Sequence, residues 1–239
     1  LAAQERTREV DRTKTGLLLL LIGVLLTPIP YVSIVGDIMI FVGAILVIVG
    51  RKAFGAIHAR NTIWSIIIFV IGIAVVFAGG LAFGFAVASA TIAGIANSTV
   101  NTTTIGQSLA SAFQILLVFS AVGGAIFGIA EVLFTYALQK HLGRILLWAG
   151  YSAAIAVSVI EFIIISPLIE NAASQSFTGT TYDPTPFANL QSQLQVLGLL
   201  SFIPAIIYAS AIYLAWSRVK AHEFPSPPSQ PPVMVGPSI

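Results

Sequence analysis

The amino-acid sequence predicts an all-α fold, a polytopic bundle of six transmembrane helices with both termini cytoplasmic. Three observations predict it. Of 239 residues, 57% are hydrophobic and 8% are charged, whereas a soluble domain carries about 25% charged residues. The apolar runs are long and uncharged, and ~20 residues at 1.5 Å rise cover the ~30 Å hydrocarbon core. The eleven Lys and Arg residues fall in four short patches: Arg6, Arg8, Arg12 and Lys14; Arg51, Lys52 and Arg60; Lys140 and Arg144; Arg218 and Lys220. Basic residues collect on the cytoplasmic side of a membrane. The chain therefore crosses an even number of times between patches. The runs show no period-2 alternation, so helices and not a barrel satisfy the backbone.

Taken in order, residues 1–15 are polar and mixed in charge, a lead-in on the membrane surface or a disordered end. Residues 16–50 are apolar apart from Asp37 and the break at Thr27-Pro28-Ile29-Pro30. Two prolines two residues apart disfavour a continuous helix. A turn there returns the second basic patch to the side of the first, so a hairpin of two spans is expected, with a re-entrant first segment as the alternative. The first arm is short, and Arg12 and Lys14 extend it by snorkelling. The apolar run resumes after Pro30 and no small-x-small cleavage site precedes it, so the segment is read as retained.

Asn61 and Thr62 suit the cap of a third helix, uncharged to about Ala96. At roughly 50 Å it outruns the hydrocarbon, so it projects beyond the bilayer or breaks at Gly79-Gly80. Residues 97–107 read as a polar loop and a fourth helix runs to Gln139. A fifth spans about 145–169, a second outer loop 170–189, and a sixth helix 190–216. This divides the chain into the lead-in 1–15, a six-helix membrane domain 16–217 and a cytoplasmic tail 218–239. From Pro225 that tail carries six prolines in fifteen residues and builds no core. The cytoplasmic side then holds eleven bases and four acids (Glu5, Glu9, Asp11, Glu223), and the outer loops no base and two acids (Glu170, Asp183). Trp64, Trp148 and Trp216 fall near the inner ends of three spans, where an aromatic belt places them.

The composition also excludes chemistry. Without cysteine there is no disulfide, thiolate metal site or thiol redox reaction. The bases sit at membrane borders and not among stacking aromatics, so nucleic acid is not a partner. His58, His141 and His222 have no metal-ligand spacing and read as interfacial. Ile34-Val35-Gly36-Asp37 approaches the Gly-x-Gly-Asp pattern of intramembrane aspartyl proteases, but Ile34 occupies the first glycine position and the partner Tyr-Asp is missing. No catalytic constellation and no cofactor are implied, and the chain is not read as an enzyme.

The candidate site is the set of acids inside spans, Asp37, Glu161 and Glu131, because ionisable groups in a bilayer are costly. Asp37 and Glu161 fall at similar depth and suit a cation or a proton relay. Against this, Asp37 reads as a first-turn acid favoured by the helix dipole, and Glu131 is within reach of Lys140 or Arg144. Glu161 is expected to face the bundle interior, with Tyr31, Ser33 or Asp37 as partner. Small residues at spacing four, Gly80 with Gly84, Gly124 with Gly128, Ala82 with Ala86 and Ala90, and Ala149 with Ala153, suit close helix packing inside the bundle, or an oligomer interface. Pro204 is expected to kink the sixth helix. Asn97 and Asn101 begin sequons on the first outer loop, and the PxxP strings from Pro225 suit a solvated tail.

The Pro-x-Pro turn of the glycine-rich N-terminal hairpin, the stretch Gly50-Arg51-Lys52-Ala53-Phe54-Gly55 and the proline-rich tail resemble a family of uncharacterised archaeal multi-pass membrane proteins. The resemblance implies a multi-pass helical fold and no activity. The functional expectation is a structural or accessory protein of the cell membrane, or a subunit of a membrane complex. Its partners would be the lipid bilayer and a membrane protein or a second copy of itself. The alternative is a small transporter or channel that uses the intramembrane carboxylates.

Overall fold

A computed structural model describes residues 2–96, 102–176, 183–221 and 223. Every regular element among them is helical: α1 (Ala2–Leu26), α2 (Ser33–Gly50), a 3-10 turn Arg51–Phe54, α3 (Ala56–Ala96), α4 (Thr102–Tyr136), α5 (His141–Ser176), α6 (Thr185–Gly198), a 3-10 turn Leu199–Ser201, and α7 (Phe202–Lys220). Five segments are long and apolar enough to cross a membrane: Ser33–Phe54, Ala56–Ser89, Ile105–Tyr136, His141–Ser176 and Thr185–Lys220. By length and composition they are the helices of a membrane protein. Helix α1 is not among the five, because its N-terminal half carries the first basic patch and three acids.

Pro28 and Pro30 stand in a turn between α1 and α2. Neither has an N–H to continue the helical ladder. Instead the N–H groups of Val32 and Ser33 both reach the Ile29 carbonyl, and Tyr31 takes a left-handed φ of 67°. The two helices then run antiparallel in backbone contact. A Cβ on Gly16 would lie 2.6 Å from the Gly43 carbonyl oxygen, and one on Gly23 would lie 2.7 Å from that of Gly36. At the far end Gly50 abuts Thr13 and the Glu9 carbonyl. Glycines seven residues apart keep this seam on one face of each helix.

The 3-10 turn after α2 ends at Gly55, whose φ of 92° is cheap only for glycine. From it α3 runs without interruption for 41 residues, about 60 Å at 1.5 Å per residue. Of the two alternatives for this long helix, the break at Gly79-Gly80 is absent, since both glycines keep helical geometry. Helix α3 packs along α4 through Phe69 on Phe127 and Phe83 on Phe113, each pair of rings 5.0 Å apart.

Helix α4 starts at Thr102, so most of the loop expected over 97–107 is helical. It ends at Tyr136, three residues before the expected Gln139. Helix α5 runs on to Ser176, with Pro167 inside it, and α6 starts at Thr185, so the second loop is also shorter than its polar composition suggested. Ser, Thr and Asn favour loops only by competing locally for backbone bonds. Here packing outweighs that competition: Ala172, Ala173 and Ile169 of α5 bury against Ala110 of α4 and Leu190 of α6. The expected sixth helix is divided at Gly198 by the second 3-10 turn, and Pro204 lies buried in the first turn of α7, with the break just before it. The lead-in 2–15 is helical and continuous with the rest of α1. The sequons at Asn97 and Asn101, His222 and the proline-rich tail lie outside the described residues.

Three helical hairpins result, α1–α2, α3–α4 and α5–α6/α7, and all begin and end at the same pole. Lys140 lies 2.7 Å from Glu223, and Arg218 donates to the Leu138 carbonyl. Phe54, between α2 and α3, packs on a core of Leu17, Val47, Leu138, Ala215 and Val219. All four basic patches thus gather at this pole, the basic end.

Candidate functional site

Of the three acids, Asp37 is exposed and lies in the second turn of α2, past the first turn where the helix dipole favours it. Glu161 is half-buried in the middle of α5. Helix α2 packs along α1, whereas α5 packs along α4, α6 and α7. Asp37 and Glu161 therefore stand on helices without a shared packing interface, and the expected pairing at common depth does not form. Tyr31, expected beside Glu161, is 90% exposed at the α1–α2 turn. Glu131 has neither of its expected partners: Lys140 is engaged with Glu223, and Arg144 lies over the Tyr136 ring at 4.7 Å.

Glu131 instead belongs to a cluster that sequence spacing did not reveal. One turn before it, Gly128 leaves room for the Tyr151 ring, which would lie 2.5 Å from a Cβ there. The Tyr208 hydroxyl comes within 3.5 Å of the same point, and the Tyr208 ring covers Gly150. Glu131 and Tyr151 both lie within electrostatic reach of that hydroxyl. The hydroxyl is buried without a hydrogen-bond partner. Two glycines on α4 and α5 thus admit two tyrosines beside one carboxylate. No hydrogen bond joins the phenol to the Glu131 carboxyl, and Glu131 is itself exposed. Gly128 signalled close packing in the sequence. Tyr208, eighty residues along the chain, had no local signal.

Nearer the basic end lies a buried polar layer. His58 is 1% exposed, its ring edge-on to Phe54 at 5.7 Å, with both ring nitrogens lacking a hydrogen-bond partner. His58 thus stands at the basic end beside the second basic patch, but covered by protein, because the 3-10 turn folds Phe54 over it. Thr62 donates to the His58 carbonyl at 2.9 Å. Ser65 Oγ donates to the Ala130 carbonyl at 2.7 Å, tying α3 to α4, and Gln139 Nε2 donates to the Ala211 carbonyl at 2.7 Å, tying the α4–α5 turn to α7. Higher up, Gln114 Nε2 donates to Ser166 at 3.3 Å between α4 and α5.

Outside the spans, Lys140 donates to Glu223 and, with Arg218, holds that carboxyl below the usual range. Hydrogen bonds from Thr185 do the same for Asp183 before α6. Among the described residues no three His, Asp or Glu side chains gather as a metal site.

The small-residue set divides. Gly128 meets Tyr151, but Gly80, Gly84 and Gly124 have no heavy atom within 4 Å of a Cβ position, and so pack against nothing among the described residues. The contacts expected of them belong to Gly72, Gly79 and Gly123, which face Phe127, Phe119 and Val76. Compared with known proteins, the chain matches no family model, no curated protein and no solved structure.

Proposed function

We propose that the protein is a non-catalytic membrane protein, an accessory or structural component of a larger membrane assembly. One observation carries this reading: polar side chains within the helices are used to tie helices together, while α2 and α3 are left with broad uncovered apolar faces. Ser65, Gln114 and Gln139 each bridge two elements. By contrast Ile38, Phe41 and Ile45 of α2 and Phe69, Phe77 and Phe85 of α3 are more than 40% exposed. In a bilayer such faces meet lipid or another protein's helices. The likeness to archaeal multi-pass proteins belongs to the same reading.

In this proposal α1 is a sixth crossing, with its apolar residues 16–26 in the membrane, its basic turns among the headgroups, and both termini cytoplasmic. Single cysteines at residue 4 and residue 102 of this Cys-free chain test the topology: an impermeant maleimide should label 102 and spare 4 in intact cells. Purification in mild detergent tests the function. A defined complex or homo-oligomer supports it, and a monodisperse monomer without partners argues against it.

Glu131, a carboxylate one turn from the glycine that the Tyr208 hydroxyl approaches, favours a second reading, a proton or cation pathway that uses one carboxylate. Flux in proteoliposomes that Glu131→Gln abolishes, with the protein still folded, would replace the first reading with this one.

A further inference from the structure

A groove of about 450 Å³ runs between α1, α5 and α7, open to the side. Its size is in the range of about 300–1,000 Å³ usual for ligand sites. Leu21 and Leu25 form one wall, Leu142 and Leu146 the other, and α7 the floor, with Ser210 and Tyr213 as its polar lining residues. Toward the basic end the same side of α7 changes character. Tyr213 packs on Trp216 with centroids 5.9 Å apart, and the Lys220 ammonium stands 5.0 Å over the Trp216 ring. Across the groove, Lys14 lies two turns before Leu21 and so shares its face of α1. Leu17 and Leu20 pack with Ala215 and Val219, which brings Lys14 level with the end of α7. The acids nearby are Asp11 and Glu223. Glu223 is engaged by Lys140 and Arg218, and bases outnumber acids. From tail to head the groove reads apolar, aromatic, cationic, the order of a lipid from acyl chain through interface to phosphate.

We propose that this groove binds a phospholipid with an anionic headgroup, one acyl chain lying against Leu21, Leu146 and Ile206 and the headgroup on Lys14 and Lys220. The inference rests on the membrane placement of α1, α5 and α7 proposed above. It commits to an acidic lipid because both lysines stand at the basic end of the groove, and a zwitterionic headgroup would gain little from them.

The test uses full-length protein with Trp64→Phe and Trp148→Phe, so that Trp216 alone reports, in phosphatidylcholine vesicles. Phosphatidylglycerol or phosphatidylcholine brominated high on one acyl chain is titrated in. The expected result is quenching at several-fold lower mole fraction of the anionic lipid. Lys14→Gln or Lys220→Gln should each lower that preference, by up to about fivefold, the ratio equivalent to ~1 kcal/mol per basic group at an anionic surface. Ser210→Phe, which fills the groove from an exposed position, should weaken quenching by both lipids. Arg8→Gln, in the basic patch away from the groove, should change nothing. Equal quenching by the two lipids, or an Arg8→Gln effect as large as that of Lys14→Gln, would overturn the site and leave the membrane placement standing. Absence of quenching by either lipid would overturn the placement of α7 together with the site.

Discussion

The hairpins α1–α2 and α3–α4 solve one problem in two ways. Lipid is as apolar as a leucine, so two helices in a bilayer gain little by hiding apolar surface and must gain by van der Waals contact. The first hairpin removes side chains. Gly16 and Gly23 face Gly43 and Gly36, backbone against backbone. The second inserts side chains: the edge of the Phe127 ring covers Gly72, while at Gly79 the Phe119 Cβ stands closest. A carbonyl oxygen in a helix cannot move without its turn, whereas the edge of a ring can rotate. The difference teaches that a glycine's tolerance to change depends on what stands opposite it.

That comparison is broken most sharply at Gly43. An alanine Cβ there would stand 2.7 Å from the Gly16 carbonyl oxygen and 3.0 Å from the Leu20 nitrogen. Gly43→Ala should destabilise by about 1–3 kcal/mol, the usual cost of overpacking, and Gly43→Leu should separate the hairpin. Thermal unfolding in detergent measures the first, and a cross-link between cysteines at positions 19 and 40 reports the second by its loss. A stable Gly43→Leu protein would refute the backbone seam.

At Gly72 the opposing atoms are the edge of the Phe127 ring, 2.6 Å from a Cβ position. Gly72→Ala should cost under about 1 kcal/mol, because ring rotation relieves the clash and alanine improves helix propensity. Gly124→Ala meets nothing among the described residues and should be neutral or stabilising by up to about 1 kcal/mol. If Gly124→Ala instead lowers the mass of the purified assembly, the open glycine face is an interface with another helix. The ladder from backbone through ring to empty space should appear as one monotonic series of melting temperatures.

The smallest expected effect is at the junction that closes the third hairpin onto the second. The Lys140–Glu223 pair depresses the carboxyl pKa. Its contribution is thus present above the ordinary carboxylate range, near pH ~4.3, and lost as pH falls through the lower folded value. Glu223→Gln should differ slightly from the parent at neutral pH and converge with it in acid. The pair is exposed and screened by salt. A difference that grows in acid would reverse the assignment.

Much of this architecture could be read along the chain. The four basic patches imply an even number of passes between them, and the structure gathers them at one end. Pro28 and Pro30 announce their turn because proline has no N–H to donate, and that effect is local. The glycines at 16, 23, 36, 43 and 50 are equally legible, since a seven-residue period within each helix is visible in the letters, although it lies outside the spacing-four motifs. The candidate site was less legible. Asp37, Glu131 and Glu161 announce themselves as charges in apolar runs, but their surroundings do not.

By itself, then, the sequence determined what depends on composition and neighbours: helical spans, the turn at the prolines, the chain reversals and the pole where bases collect. The tertiary structure alone decided which faces meet. It set Gly72 against a ring and Gly79 against the Phe119 Cβ, left Gly80 open, buried His58 under Phe54, parted Asp37 from Glu161, and brought Tyr208 to Gly128 and Gly150. The physical reason is that a hydrophobic run reports only its transfer from water into lipid. Once inside, every face of an apolar helix is equally content with lipid, so partners are chosen by close-range shape and hydrogen bonding between residues far apart in the chain.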